Sequence, residues 1–192
     1  MRKQVIESIE SCKFKVIDLP YYKGDNSLRQ SNIDYIQMCY NIFNEDYTKI
    51  VNMEEILEQS VDEMEAYLLL KEKTNEKLEQ AAKKLHEASK AFAAKYNVTL
   101  IESETDLGAK MTAAGKVNQY YNKIYLIIYQ CSWQDDAITK AINDKKVNDA
   151  EQARAALIKY ANEGLAALDT IKGFNGDISL TVNARQLLKH YK

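Results

Sequence analysis

Residues 22–28, YKGDNSL, recur as residues 174–180, FNGDISL, and this repeated phrase decides the predicted fold. The two copies are 152 residues apart (176 − 24 for their glycines). Glycine suits a left-handed turn, and aspartate is a good cap for a following helix. Each copy therefore predicts a tight turn between two helices. The predicted turn and cap residues are Tyr22, Gly24, Asp25, Ser27 and Leu28 in the first copy, and Phe174, Gly176, Asp177, Ser179 and Leu180 in the second.

The segments that precede the two copies also correspond at the same offset. In the first segment, apolar or small residues step by four, three, four and three positions, which places them along one face of a helix. We interpret the two segments as copies of an ancient helix–turn–helix unit. The corresponding seam positions are Val5, Ile9, Cys12, Val16 and Leu19 in the first segment, and Leu157, Ala161, Gly164, Leu168 and Ile171 in the second.

The composition favours long helices in a single domain. The chain has 192 residues, of which six are glycine and one is proline, so residues that break helices are scarce. Short loops between consecutive helices favour antiparallel neighbours. We therefore predict an all-α fold, an up-and-down antiparallel helical bundle over residues 1–192. The predicted helices cover about 3–19, 27–51, 60–96, 108–143, 148–171 and 178–192. The repeat units, about 2–50 and 154–192, are joined by a long helical hairpin, about 60–143.

Charge and hydropathy exclude two classes of function. The 26 basic and 28 acidic residues are interspersed, so no basic stripe is available to bind nucleic acid. No apolar run reaches the roughly 18 residues that a transmembrane helix needs.

The sequence also lacks a convincing catalytic or metal-binding pattern. The two histidines, His86 and His190, are not preceded by the Glu-x-x spacing of metal sites in helical bundles. We predict a protein that is not an enzyme, with no catalytic residues, no metal and no cofactor. Two alternatives stay open. A hydrolase would need one histidine buried beside a hydroxyl or carboxylate, and Glu102, Glu104 and Asp106 could bind a divalent cation weakly.

The three cysteines, Cys12, Cys39 and Cys131, occur singly, without C-x-x-C spacing. Isolated cysteines on helix seams usually pack as small apolar side chains. A disulfide would need an oxidising compartment and suitable geometry, so the sequence leaves their pairing open.

Aromatic residues provide the best candidate for a binding site. Tyrosines lie on both faces of the predicted helix 108–143, so some rings reach a groove or the surface; the alternative is that they pack against neighbouring helices. The seam of the preceding helix is interrupted by two polar residues that the hairpin geometry places near this region, which suggests a polar pocket. A lysine that simply points to solvent would argue against that pocket. The candidate binding residues are Tyr120, Tyr121, Tyr125, Tyr129, Trp133, Lys71 and Asn75.

Five stretches resemble a known family. Residues 44–50, 120–127, 151–157, 160–165 and 174–180 are similar to helical, internally duplicated surface lipoproteins of Gram-negative bacteria, whose function is not established. The resemblance implies export, a lipid-anchored N-terminus and no transferable catalytic residues. The lipoprotein signal and its anchoring cysteine are missing from this sequence, and Cys12 lies within a helix seam. The resemblance thus implies a place in the cell envelope, in the periplasm or at the outer surface, with membrane contact only through an anchor absent from this chain.

These observations favour a non-enzymatic cell-envelope protein that acts as a protein-interaction or scaffolding module. The alternative is a helical bundle that binds a small ligand in a pocket lined by tyrosine and tryptophan on helix 108–143. The first function predicts an exposed aromatic patch of a few hundred Å². The second predicts a closed cavity of about 300 Å³.

Overall fold

The computed structural model of the protein describes residues 2–101 and 106–192. In these ranges the chain forms seven α-helices and one π-helical turn, and no β-strand. The all-α helical bundle predicted from the sequence is confirmed. The elements are α1 (Arg2–Ile17), α2 (Ser27–Asn41), the π-helical turn (Ile42–Asp46), α3 (Tyr47–Glu54), α4 (Val61–Tyr96), α5 (Asp106–Asn143), α6 (Val147–Thr170) and α7 (Ser179–His190).

Side-chain capping accounts for the start of α4, and the short preceding loop accounts for the start of α6. Ser60 Oγ accepts a hydrogen bond from the backbone N–H of Glu63 at 3.1 Å and donates one to the Glu63 carboxylate at 3.2 Å, so Ser60 caps the start of α4. The sequence of residues 148–151, NDAE, has the pattern of a capping box and predicts a helix start there, but α6 already begins at Val147, without a side-chain cap. Only three residues separate α5 from α6, so the chain re-enters a helix before that motif.

Contacts divide the chain into two compact units, which we describe separately. Unit 1 comprises Met1–Leu57 and Ala66–Thr105, and unit 2 comprises Glu58–Glu65 and Asp106–Lys192. Helix α4 contributes its first residues to unit 2 and the rest to unit 1. The single domain with two repeat units joined by a helical hairpin stays a prediction.

Unit 2 has a dense core in which α5 packs against α6 and α7. At Gly164, a Cβ atom would lie 2.6 Å from Ile127 Cγ2 and 3.0 Å from Leu188 Cδ1, so a glycine allows this close approach. The seam predicted from the second repeat is therefore the buried face of α6. The core residues are Ile124 and Cys131 from α5, Leu157, Ala161 and Leu168 from α6, and Ala184 and Leu188 from α7.

Unit 1 is packed differently. Helix α1 lies against α2, but none of its residues is buried. Helix α4 runs antiparallel to α2 and α3, because Lys77 Nζ pairs with Asp46 at 2.6 Å and Lys95 Nζ pairs with Asp25 at 2.7 Å. Long side chains thus connect α4 to this hairpin. The buried residues of this unit are Ile36, Ile42, Asp46, Ile50, Thr74 and Ala93.

The first copy of the repeated phrase forms a tight turn. Lys23 and Gly24 both adopt positive φ, 50° and 79°, as in a type I′ turn. The backbone N–H of Asp25 donates to the carbonyl of Tyr22 at 2.9 Å. Asp25 Oδ1 accepts the N–H of Ser27, the first residue of α2, at 2.8 Å. The predicted roles of glycine in the turn and aspartate at the helix start are both present.

The second copy repeats this geometry. Asn175 and Gly176 have φ of 51° and 87°. The N–H of Asp177 donates to the carbonyl of Phe174 at 2.9 Å, and Asp177 Oδ1 accepts the N–H of Ser179 at 2.8 Å. The two turns therefore match in local structure, while their common origin by duplication stays a prediction.

The two turns differ in what packs against them. Asp25 Oδ2 also accepts hydrogen bonds from Lys95 Nζ at 2.7 Å and Tyr96 Oη at 2.8 Å, and the ring of Tyr22 packs edge-on against those of Phe92 and Tyr96. The hydrogen bond from Lys95, followed by that from Ser27, holds the pKa of the Asp25 carboxyl well below its usual range. Hydrogen bonds and ring contacts thus connect the first turn to the C-terminal end of α4.

Substitution of Gly164 by alanine tests the close packing of α6. We expect Gly164→Ala to lower the free energy of unfolding by about 1–2 kcal/mol, because steric overlap outweighs the gain in helix propensity. The control is Cys12→Ala at the corresponding but exposed position of α1, which should change stability by less than about 0.5 kcal/mol. Urea denaturation measures both, and equal stability of the two variants would contradict the assigned packing.

Substitution of Asp25 by asparagine tests the ion pair between Asp25 and Lys95. The folded pKa lies below the unfolded value of about 3.9, so Asp25 stabilises the fold above about pH 4 and loses this contribution as the pH falls further. We expect Asp25→Asn to lower the urea midpoint at neutral pH, with the difference from the unmodified protein shrinking towards about pH 2. Asp177→Asn removes the charge at the second turn, which lacks the contacts that Asp25 makes with Lys95 and Tyr96, so it should show a smaller difference. A pH-independent effect of Asp25→Asn would exclude the ionic explanation.

Candidate functional site

Four of the predicted binding residues form a continuous aromatic row along α5. The ring centroids of Tyr121 and Tyr125 are 5.6 Å apart, those of Tyr125 and Tyr129 5.8 Å, and those of Tyr129 and Trp133 6.2 Å. Spacing of four residues places the rings one above another on the helix surface. Tyr121 is 46% exposed, and the other three are half-buried. This aromatic row is a surface rather than part of the core.

Acidic residues border the aromatic row. Burial, followed by electrostatic interactions with Tyr121 and Glu58, raises the pKa of Tyr125 above its ordinary value. The pKa of Tyr129 is raised by burial, by Tyr125 and by carboxylates that include Glu58 and Asp136. The hydroxyls therefore stay protonated at neutral pH and can donate hydrogen bonds to a ligand.

Tyr120 does not belong to this row. Its ring packs against Phe174 with a centroid distance of 5.6 Å, next to the core of unit 2. In the described part of the chain its buried hydroxyl has no hydrogen-bond partner. The structure thus places Tyr120 with the second turn, where it supports the hairpin.

Lys71 and Asn75 lie in unit 1. Lys71 is exposed, and its Nζ lies 3.4 Å from the hydroxyl of Tyr67 and 5.0 Å from the centre of that ring. Burial and a hydrogen bond to Glu54 raise the pKa of Tyr67 to about 12. A solvent-exposed Lys71 does not favour the polar pocket expected around it. A pocket that combines these two residues with the α5 aromatics stays a prediction.

The exposed face of α1, defined by Val5, Ile9, Cys12 and Val16, is a second candidate surface. In α6, the corresponding four positions are all buried, and Ala161 is 0% exposed. In α1, Cys12 is exposed and the other three are only partly buried. Nearby apolar side chains on the first hairpin are also exposed, including Phe14 at 67%, Ile17, Leu19, Tyr21 and Tyr22.

A pocket between α2 and α4 is the third candidate, and sequence reasoning missed it. It has a volume of about 290 Å³ and is closed on two sides by helices of unit 1. The only sequence signal was a helix face on α4 that alternates lysine with small or apolar residues, which usually marks a solvated surface. The lining residues are Ser31, Asp34, Tyr35 and Met38 from α2, and Lys77, Gln80, Ala81, Lys84 and Leu85 from α4.

The described residues offer no metal centre. Among them, no group of three or more His, Cys, Asp or Glu side chains could bind a metal ion. The suggested cation ligands Glu102 and Glu104 lie outside the described residues. His86 and His190 are both exposed, so neither meets the condition of burial that the hydrolase alternative required.

All three cysteines are free thiols. Cys12 is exposed, Cys39 is half-buried, and Cys131 is buried in the core of unit 2. Burial raises the pKa of the Cys131 thiol to about 11, so it is an unreactive core residue. The predicted role of a small apolar core residue therefore fits Cys131. It does not fit Cys12, whose side chain is exposed on the seam of α1.

Comparisons with known proteins do not assign a family. No family model, no curated protein and no solved structure matches the chain. None of the helices in the described ranges is long and apolar enough to cross a lipid bilayer.

The fluorescence of Trp133, the only tryptophan, tests the geometry of the aromatic row. Ionised tyrosine accepts excitation energy from a neighbouring tryptophan, and the pKa of Tyr129 is raised. We therefore expect quenching of Trp133 above about pH 10, with most of it lost in Tyr129→Phe. Tyr121→Phe, a change two rings further away, should have little effect. Equal alkaline quenching in Tyr129→Phe and the unmodified protein would contradict this geometry.

Proposed function

We propose that this protein is a non-enzymatic interaction module of the bacterial cell envelope, which binds a partner protein through the exposed face of α1. One observation carries the proposal. The same apolar seam is buried in α6 of unit 2 and only partly covered in α1 of unit 1, where Cys12 is exposed. An apolar helix face that the chain itself does not cover is typical of a protein–protein contact.

The covered seam in unit 2 indicates what kind of partner fits. There, α5 lies against α6 and contributes Ile124, Ile127 and Cys131 to the contact. We infer that the exposed face of α1 accepts an amphipathic helix with a similar apolar stripe. Helix α1 carries four basic residues (Arg2, Lys3, Lys13 and Lys15) and two acidic ones, so acidic residues beside that stripe would complement its charge.

The cell-envelope location is supported by the resemblance of five stretches to Gram-negative surface lipoproteins. The aromatic row of α5 is a further contact surface. A closed small-ligand pocket around Tyr125, Tyr129 and Trp133 stays an alternative prediction.

Site-specific crosslinking in the cells that make the protein tests the proposal. A photo-reactive amino acid at Cys12, the exposed residue of this face, should give one discrete adduct with a second protein, mapped to an acidic amphipathic helix of that partner. Ile9→Asp should abolish the adduct. The same photo-reactive residue at Lys159, on the outside of α6, is the control position and should give no such adduct. Cell fractionation should recover the protein with the envelope.

The stability of two matched variants distinguishes an interaction surface from a structural one. Ile9→Asp should change the free energy of unfolding by less than about 1 kcal/mol, because its position is partly exposed. Ala161→Asp, at the corresponding buried position, should cost about 3 kcal/mol or more. An adduct that survives Ile9→Asp, or one with twice the mass of this chain, would contradict the proposed partner.

A further inference from the structure

The pocket between α2 and α4 has an apolar floor and polar walls. The floor is formed by the ring of Tyr35, Met38, Ala81 and Leu85. The volume of about 290 Å³ lies at the lower end of small-molecule sites, which suits a compact ligand. Met38 adapts readily to different ligand shapes because its side chain is unbranched and flexible.

The α4 wall of the pocket is cationic. Lys77 and Lys84 are two turns apart on one face of the helix, with Gln80 between them. Lys77 Nζ is held by Asp46 Oδ2 at 2.6 Å. In the described part of the chain, Lys84 makes no ion pair and no hydrogen bond. This wall therefore offers a free ammonium group directly beside the apolar floor.

The π-helical turn Ile42–Asp46 positions the paired lysine. It buries Asp46, which is 7% exposed, so that its carboxylate reaches across to α4. Single π-helical turns inside α-helices are frequent at functional sites. Asp46 also lies 3.9 Å from Lys49, and this second cation partly neutralises it. Lys77 is thereby held at the edge of the pocket.

The α2 wall is neutral apart from one carboxylate. Asp34 Oδ1 accepts a hydrogen bond from Gln30 Nε2 at 2.8 Å, one turn away on the same helix. Ser31 Oγ donates to the carbonyl of Ser27 at 3.0 Å. Tyr35 is half-buried, and desolvation, followed by the nearby Cys39 thiol, raises the pKa of its hydroxyl. A ligand anion is therefore favoured at the α4 wall and disfavoured beside Asp34.

We propose that this pocket binds a small amphipathic monoanion, an apolar body with a single carboxylate. The apolar body lies on Tyr35, Met38 and Leu85, and the carboxylate pairs with Lys84. This site is separate from the exposed face of α1, so its test does not depend on the proposed partner interaction.

The probe pair 2-naphthoate and 2-naphthylmethanol separates the contribution of the carboxylate charge from that of the apolar ring, because the two probes share the ring and differ in charge. Isothermal titration of the full chain should show tighter binding of the naphthoate, and its affinity should fall with added salt. Lys84→Met keeps the aliphatic stem and removes the charge. It should weaken naphthoate binding about fivefold and leave naphthylmethanol binding unchanged.

Two further variants serve as controls. Lys83→Met removes a neighbouring exposed lysine that does not line the pocket, and it should leave both affinities unchanged. Ala81→Phe fills the floor and should abolish binding of both probes. Methyl NMR shifts of Met38 and Leu85 on titration locate the bound probe even if Ala81→Phe is unstable. Equal binding of naphthoate by Lys84→Met and the unmodified protein, or no binding up to about 10 mM, would overturn the proposal.

Discussion

The covering of an apolar helix seam by a third helix is the interaction on which the rest of the structure depends. In unit 2 this covering is complete, since α5 lies so close to α6 that Gly164 contacts Ile127 and Leu188 with no room for a side chain. The seam is thereby removed from water, and each buried aliphatic side chain contributes roughly 1.5–3 kcal/mol to stability. Unit 1 carries the same pattern on α1, but there none of the seam residues is fully buried.

In unit 1, hydrogen bonds, ion pairs and aromatic ring contacts connect α4 to the hairpin of α1 and α2. Asp25 joins the first turn to Lys95 and Tyr96, and Asp46 joins the π-helical turn to Lys77. The pocket lies between α2 and α4 of the same unit. In unit 2, α5 runs parallel to α7, whereas α4 in unit 1 runs antiparallel to α2. The similarity of the two units is therefore confined to their hairpins, and their third helices meet those hairpins by different chemistry.

The three candidate surfaces differ in what they can bind. The exposed face of α1 is long, apolar and edged with basic residues, which suits a helix of a partner protein. The aromatic row of α5 offers stacked half-exposed rings beside carboxylates. The pocket between α2 and α4 is compact, with an unpaired lysine at its edge, which suits a small anion.

The sequence by itself determined the helices, the two turns and the apolar seams of α1 and α6, because periodicity, helix breakers and capping residues act over a few neighbouring positions. The left-handed conformations of Gly24, Gly176 and Asn175 were predictable for that reason, since Asn-Gly is typical of type I′ turns. That of Lys23 was not, because its side chain normally disfavours positive φ. Only the tertiary structure decided which seam is covered, that Tyr120 leaves the aromatic row, and that Lys77 and Lys84 border a pocket. These features depend on which helices meet across long sequence separations, and a local pattern carries no information about that choice.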